Sequence, residues 1–226
     1  MGEIILKASK ISKSYVNGEK ILSVLNNLSI EVEKNEIITI TGQSGSGKST
    51  LLNILGSLDK PDFGEVIIDG ENILHLKNNE IAKMRNQKIG FVFQFHHLLS
   101  EFTALENVLM PVWISRSKSG KKKEATNLFA ELNLSSKMNY YPNQLSGGER
   151  SRVALIRGII NKPKILLADE PTGNLDEKNA IVLIELLKKI NTDFNQSIII
   201  TTHNPDVAKL GYSRYDLANG VLKTMR

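Results

Sequence analysis

The chain has 226 residues, enough for one substantial core in one or two lobes. Apolar residues at 41% and charged residues at 23% give a soluble globular composition, and the lack of cysteine excludes disulfides, thiolate metal sites and cysteine nucleophiles. Net charge is +5, part of it in Arg116, Lys118, Lys121, Lys122 and Lys123. That basic stretch reads first as a solvated loop and helix start, second as an attraction for anionic lipid head groups. Nucleic acid is not expected, because no aromatic residues are interleaved with the lysines. Residues 1–6 lack the basic-then-apolar pattern of a signal peptide, and no apolar run approaches the ~18 residues that cross a bilayer. The expectation is a cytoplasmic chain whose membrane contact comes through a partner.

Strand and helix patterns alternate, which predicts an α/β fold with a largely parallel sheet. Residues 36–41 read as a buried strand, 42–47 as a glycine-rich turn and 48–58 as a helix with Leu51, Leu55 and Leu58 on one face. Short strands follow at 66–68 and 89–93. From 94 to 160 the pattern is helical, with capping boxes at Thr103–Glu106 and Ser146–Glu149, so this stretch reads as a helical subdomain inserted into the core. The core resumes with a strand at 164–168, a helix at 177–189 and a strand at 197–201. Asn204-Pro205 suits a helix start, and Asn219-Gly220 a closing hairpin between 215–217 and 221–223. The expected division is 1–93 with 161–226 as the α/β core, and 94–160 as the insert.

Gly42-Gln43-Ser44-Gly45-Ser46-Gly47-Lys48-Ser49, followed by Thr50, lies between a strand and a helix, the setting of a phosphate-binding P-loop. Its glycines let backbone N–H groups face phosphate oxygens, and the helix N-terminus adds a positive dipole end. Lys48 is expected at the β/γ-phosphates and Ser49 on Mg²⁺. Residues 165–169 form an apolar strand ending in Asp169, a second Mg²⁺ ligand, and Glu170 follows as a carboxylate able to orient or deprotonate water. A P-loop alone leaves GTPases, kinases and recombinases open. The guanine motif is missing, since Asn161-Lys162-Pro163-Lys164 carries Lys where Asp is needed.

Leu145-Ser146-Gly147-Gly148-Glu149 begins 97 residues after Lys48 and 24 before Asp169. With this segment the chain resembles the ABC ATPases, whose signature it matches. Two glycines at a helix start make a second anion cradle, so the expectation is that ATP is gripped by the P-loop of one chain and Ser146, Gly147, Gly148 and Glu149 of another, in a twofold homodimer. The resemblance further implies a catalytic set of Glu170, His203 and Gln94, with Gln94 also near Mg²⁺. It implies that Asp176, in Asn174-Leu175-Asp176, crosses the dimer interface, that Tyr15 stacks on adenine, and that an antiparallel β region accompanies the P-loop core. Ser151 departs from the pattern, standing where the family often has Gln, as does Asn204 in place of a common acidic residue.

The resemblance spans nearly the whole chain, leaving no room for a fused membrane domain. Residues 55–66 resemble the branch of this family that serves lipoprotein release, MacB-type export and FtsE-type cell division. Residues 93–108, with Phe95, His96 and His97, resemble the lipoprotein-releasing members most. That implies two related integral membrane subunits docked near Phe95, His96 and His97, on the cytoplasmic face of an inner membrane, with lipoprotein as indirect cargo. Nucleic-acid ABC proteins carry tandem units or coiled-coil insertions that this chain lacks. A non-catalytic module is disfavoured by intact Lys48, Asp169, Glu170 and His203.

Overall fold

The computed structural model describes residues 2–18, 20–115 and 120–225. In chain order the elements are β1 (Ile4–Asn17), β2 (Lys20–Glu33), β3 (Ile37–Thr41), α1 (Lys48–Leu55), β4 (Phe63–Ile68), β5 (Glu71–Asn72), α2 (Asn78–Lys88), β6 (Ile89–Val92) and α3 (Ala104–Ile114). There follow α4 (Lys121–Glu131), α5 (Gly147–Ile159), β7 (Ile165–Asp169), α6 (Glu177–Phe194), β8 (Ser197–Thr201), α7 (Pro205–Ala208), β9 (Ser213–Ala218) and β10 (Val221–Thr224).

Two sheets result. β2-β1-β4-β5 is wholly antiparallel, and β10-β9-β3-β8-β7-β6 is parallel except for its β10 edge. The fold is therefore the expected α/β P-loop core with an antiparallel region. Successive residues of a strand point to opposite faces, and the core divides accordingly. Ile38 and Ile40 of β3, Leu167 of β7 and Ile199 of β8 join Leu51, Leu52, Ile54 and Leu55 of α1 and the inner face of the antiparallel sheet. Leu166 and Ala168 of β7 and Ile198 and Ile200 of β8 join Val108, Leu155, Ile156, Leu183 and Leu187 from α3, α5 and α6. Burial on both faces is why β3, β7 and β8 read as continuous apolar runs.

Several boundaries differ from expectation. α1 stops at Leu55 because Gly56 caps it, and a Cβ there would meet the Phe91 ring at 2.0 Å. α6 runs on to Phe194, where Asn195 takes the left-handed conformation and ends it. Residues 94–103 are loop and turn, with α3 starting at the Thr103 capping box. Asn219 and Gly220 both have positive φ (52° and 75°), as a tight hairpin turn demands. Of the basic stretch, Arg116 and Lys118 lie outside the described residues, and Lys121 is tied to the Ile160 carbonyl and Glu124.

Candidate nucleotide site

The parallel pairing of β3, β8, β7 and β6 delivers their C-terminal ends to one edge of the sheet. Those ends lead into the 42–47 loop, His203, Glu170 and Gln94, and open α/β sheets bind ligands at such an edge. A cleft of about 600 Å³ lies there. It is lined by Ser44, Gly45, Gly47, Lys48, Ser49 and Thr50 from the loop and α1, by Gln94, Glu170 and His203, and by Val24 from the antiparallel sheet. Gln43 and Ser46 line an adjoining cleft of about 610 Å³, together with Leu22 and the β9–β10 turn.

The loop is held open by its glycines. Gly42 has φ 152°, and a Cβ on it would strike the Leu217 carbonyl at 2.5 Å and Ser46 Oγ at 2.6 Å. Gly45 and Gly47 have φ of 78° and 102°, in the left-handed region that favours glycine. Lys48 is buried, and its Nζ donates to the carbonyls of Gly42 (2.7 Å) and Gln43 (3.1 Å). Ser46 Oγ is buried with no partner, an orphaned hydroxyl inside the loop. These features fit a bound polyphosphate.

Opposite the loop, Glu170 has φ 44° and donates its N–H to the Thr201 carbonyl at 2.9 Å, which turns its side chain into the cleft. Its Oε1 lies 3.7 Å from Lys48 Nζ, and its Oε2 lies 2.9 Å from His203 Nδ1. Asp169 does not line the cleft; its Oδ1 accepts a bond from Thr201 Oγ1 at 2.6 Å. Thr201 was not singled out from sequence, although a threonine closing a buried β-branched strand beside a carboxylate is the available signal. Ser49 and Gln94 line the cleft and Asp169 ends the strand that leads to Glu170; hydroxyl, amide and carboxylate oxygens are the donor types that suit Mg²⁺.

Other expected residues lie outside the cleft. Ser146 caps α5, with its Oγ accepting from Glu149 N–H and its N–H donating to Glu149, while Lys137 pairs with Glu149 at 3.3 Å. A Cβ on Gly147 would meet nothing closer than 3.7 Å, so there is space on that side of the turn. Asp176 caps α6 through the Asn179 N–H, which, with the Asn179 side chain, holds its carboxyl below the usual range. Neither Ser146–Glu149 nor Asp176 reaches the P-loop of its own chain. Asn174 Nδ2 does reach back, donating to the Gln94 carbonyl at 2.9 Å. Tyr15 is 40% exposed on β1, beside Thr50 and opposite Leu22. Burial and a bond to Asp59 Oδ2 (2.8 Å) push its hydroxyl pKa up.

His96 requires a correction. Phe95 and His97 are exposed, but the His96 side chain is buried, with Nε2 2.6 Å from Ser151 Oγ of α5. It faces inward and cannot itself touch a docked partner. Arg157 of α5 holds the same turn, donating to the carbonyls of His96 and His97 at 2.6 Å each. Asn107, unnoticed in the sequence, is buried and ties the preceding loop through Leu99, Phe102 and Thr103.

Fold and cleft together define a P-loop nucleoside triphosphatase. The ABC transporter family model matches residues 25–173. The lipoprotein-releasing system ATP-binding protein LolD of Shewanella oneidensis is 43% identical over 99% of this chain and 97% of its own length. LolD 2 of Chlorobaculum tepidum is 47% identical over 91% of this chain and 86% of its own. Among solved structures, a dimeric ATP-binding cassette, MJ0796, in a post-hydrolysis state with ADP and Pi superposes with a TM-score of 0.91 at 39% identity, covering 98% of each chain. The chain belongs to the ABC transporter family and is its ATP-binding, ATP-hydrolysing cassette.

Proposed function

We propose that this chain is the ATPase of a lipoprotein-releasing complex, working as a homodimer beneath two related integral membrane subunits of the LolC/LolE kind. The observation that carries the reading is near-full-length identity of 42–47% to LolD proteins from several bacteria, in a chain whose cleft gathers Lys48, Ser49, Gln94, Glu170 and His203. No described helix is long and apolar enough to cross a membrane, which fits a peripheral subunit on the cytoplasmic face of the inner membrane.

In this reading the phosphates of ATP lie along the N–H groups of 42–47 and the N-terminus of α1, while Lys48 leaves its loop carbonyls for the β- and γ-phosphate oxygens. Ser49, Asp169 and Gln94 would hold Mg²⁺, which supplies charge neutralisation at the phosphates when bound. Tyr15 offers an aromatic face for adenine, an interaction worth about 1–3 kcal/mol. Glu170 orients the attacking water and takes its proton as the new O–P bond forms and the bond to the leaving ADP oxygen breaks. His203 holds Glu170 and faces the γ-phosphate. The partner copy's signature turn, with its free N–H groups at the α5 start, closes over the same γ-phosphate, and Asp176 lies at that seam. Cleavage removes the shared anion and lets the dimer open.

We assign residues 1–93 and 161–226 to the nucleotide core and 94–160 to a helical lobe that swings about Gln94. Phe95 and His97 stand exposed at that hinge, where a membrane subunit would feel it.

Co-purification tests the reading. A tagged Glu170→Gln chain, extracted gently from native membranes with ATP and Mg²⁺, should bring two related membrane subunits with bound lipoprotein. A single partner type would move the assignment to a MacB-type exporter, and a cell-division partner to an FtsE-type complex.

A further inference from the structure

Ser151, one of the two residues that depart from the family pattern, is the one that meets His96. Ser151 is fully buried one turn into α5, and its hydroxyl donates to the Gly147 carbonyl at 3.0 Å. That uses its only proton, which assigns the proton on the imidazole to Nε2 and makes His96 the donor across the 2.6 Å contact. The result is a continuous chain from His96 through Ser151 to the first residue of the signature helix.

The other end of the chain is anchored in the nucleotide cleft. His96 lies two residues beyond Gln94, and its N–H donates to the Phe93 carbonyl at 2.9 Å. His96 and His97 both sit at positive φ (61° and 47°), a conformation that side-chain-bearing residues keep only when their surroundings enforce it. Here α5 enforces it, through Ser151 near its start and the Arg157 fork near its end. A shift of the Gln94 loop is therefore delivered to Gly147 as a pull on one hydrogen-bonded line.

We propose that His96 and Ser151 are positioning residues that transmit the state of one ATP site to the signature turn serving the other, so that the two sites of the dimer bind and hydrolyse ATP cooperatively. This rests on the composite two-chain site proposed above. The direction of transmission follows from geometry: Gln94 touches the cleft of its own chain, whereas Ser146 and Gly147 do not. The buried imidazole, held 2.6 Å from Ser151 Oγ, suits a fixed strut.

The test is steady-state ATP hydrolysis by the full-length chain across an ATP titration, read as the Hill coefficient. Wild type should exceed 1, with a limit of about 2 for two coupled sites. Ser151→Ala removes the relay oxygen, and His96→Asn is too short to reach it; both should fall below the wild-type value, to the part that ATP-driven pairing of the two chains supplies alone. His96→Gln places an amide N–H near the position of Nε2 and should keep the wild-type value. Any other pattern overturns the relay, including a wild-type value of 1, or Ser151→Ala and His96→Asn that remain as cooperative as wild type. Should Ser151→Ala fail to fold by thermal melting, the His96→Asn and His96→Gln pair decides alone. Gel filtration of Glu170→Gln with ATP separates the two levels: no dimer there removes the composite site itself, whereas a dimer with unchanged Hill coefficients removes only the relay.

Discussion

His203 clasps Glu170 twice, through its backbone N–H at 3.1 Å and its Nδ1 at 2.9 Å, both on Oε2. The other oxygen is left facing Lys48 and the cleft. Two donors on one oxygen, added to a left-handed backbone pinned to Thr201, fix the carboxylate before any substrate arrives. Preorganisation of this kind is what a general base requires.

Glu170→Gln keeps the shape and the acceptor oxygen but cannot take a proton. Hydrolysis should fall by at least ~100-fold, within the range that positioned general bases contribute. ATP binding should persist, and a closed dimer should accumulate on gel filtration with ATP and Mg²⁺. Wild-type phosphate release from this variant would take Glu170 out of its role.

Lys48→Ala removes the buried ammonium that bridges the loop carbonyls and, in the bound state, the phosphates. Loss of charge-assisted bonds worth about 3 kcal/mol should weaken ATP affinity roughly 100-fold. Titration of a fluorescent ATP analogue reads this directly, with a melting curve to show that the fold survives. Undiminished affinity would refute the P-loop assignment.

The sequence was most legible where chemistry forces a residue type. The 42–49 loop, Asp169, Glu170 and the 145–149 turn each need small or charged groups at fixed spacing, and the central strands are apolar on both faces. The antiparallel strands were harder. β1 changes register three times between Ala8 and Ser14, and Lys10 and Asn27 sit at positive φ, so the period of two breaks up. α2 offers only Ile81 and Met84 as large apolar residues in eleven, too few for a visible stripe. His96 was misjudged because nothing in Phe95-His96-His97 tells which ring turns inward; that depends on two left-handed residues held by α5. Thr201 acts through the Asp169 carboxylate on the neighbouring strand, and Asn107 through the backbone of the loop that precedes it, which no local pattern announces.

The two glycines of the signature turn should behave oppositely. A Cβ on Gly148 would lie 2.2 Å from Asn179 Oδ1, and Asn179 is the residue that holds Asp176. Gly148→Ala should therefore cost about 1–3 kcal/mol of stability, as overpacking does. A Cβ on Gly147 finds 3.7 Å of clearance, and alanine favours a helix by up to ~1 kcal/mol over glycine. Gly147→Ala should melt at or above the wild-type temperature yet lose ATP-driven dimerisation, because the methyl stands where the partner's phosphate must approach. A stable Gly147→Ala that dimerises normally would show that the turn does not grip nucleotide.

Buried His96 also sets a pH dependence of stability. Its folded pKa of about 4 lies below the ordinary 6.5, burial being the largest cause. Above pH 6.5 the ring is neutral folded or unfolded, and stability is unaffected. Below it the unfolded chain binds the proton first, so stability falls as pH drops from 6.5 towards 4. At pH 5.5 the loss from this one group is about 1 kcal/mol. Urea unfolding at pH 7.5 and 5.5 should show that difference in wild type and a flatter profile in His96→Gln, which has nothing to protonate there. Equal pH slopes in the two proteins would mean that the imidazole is not held neutral against α5.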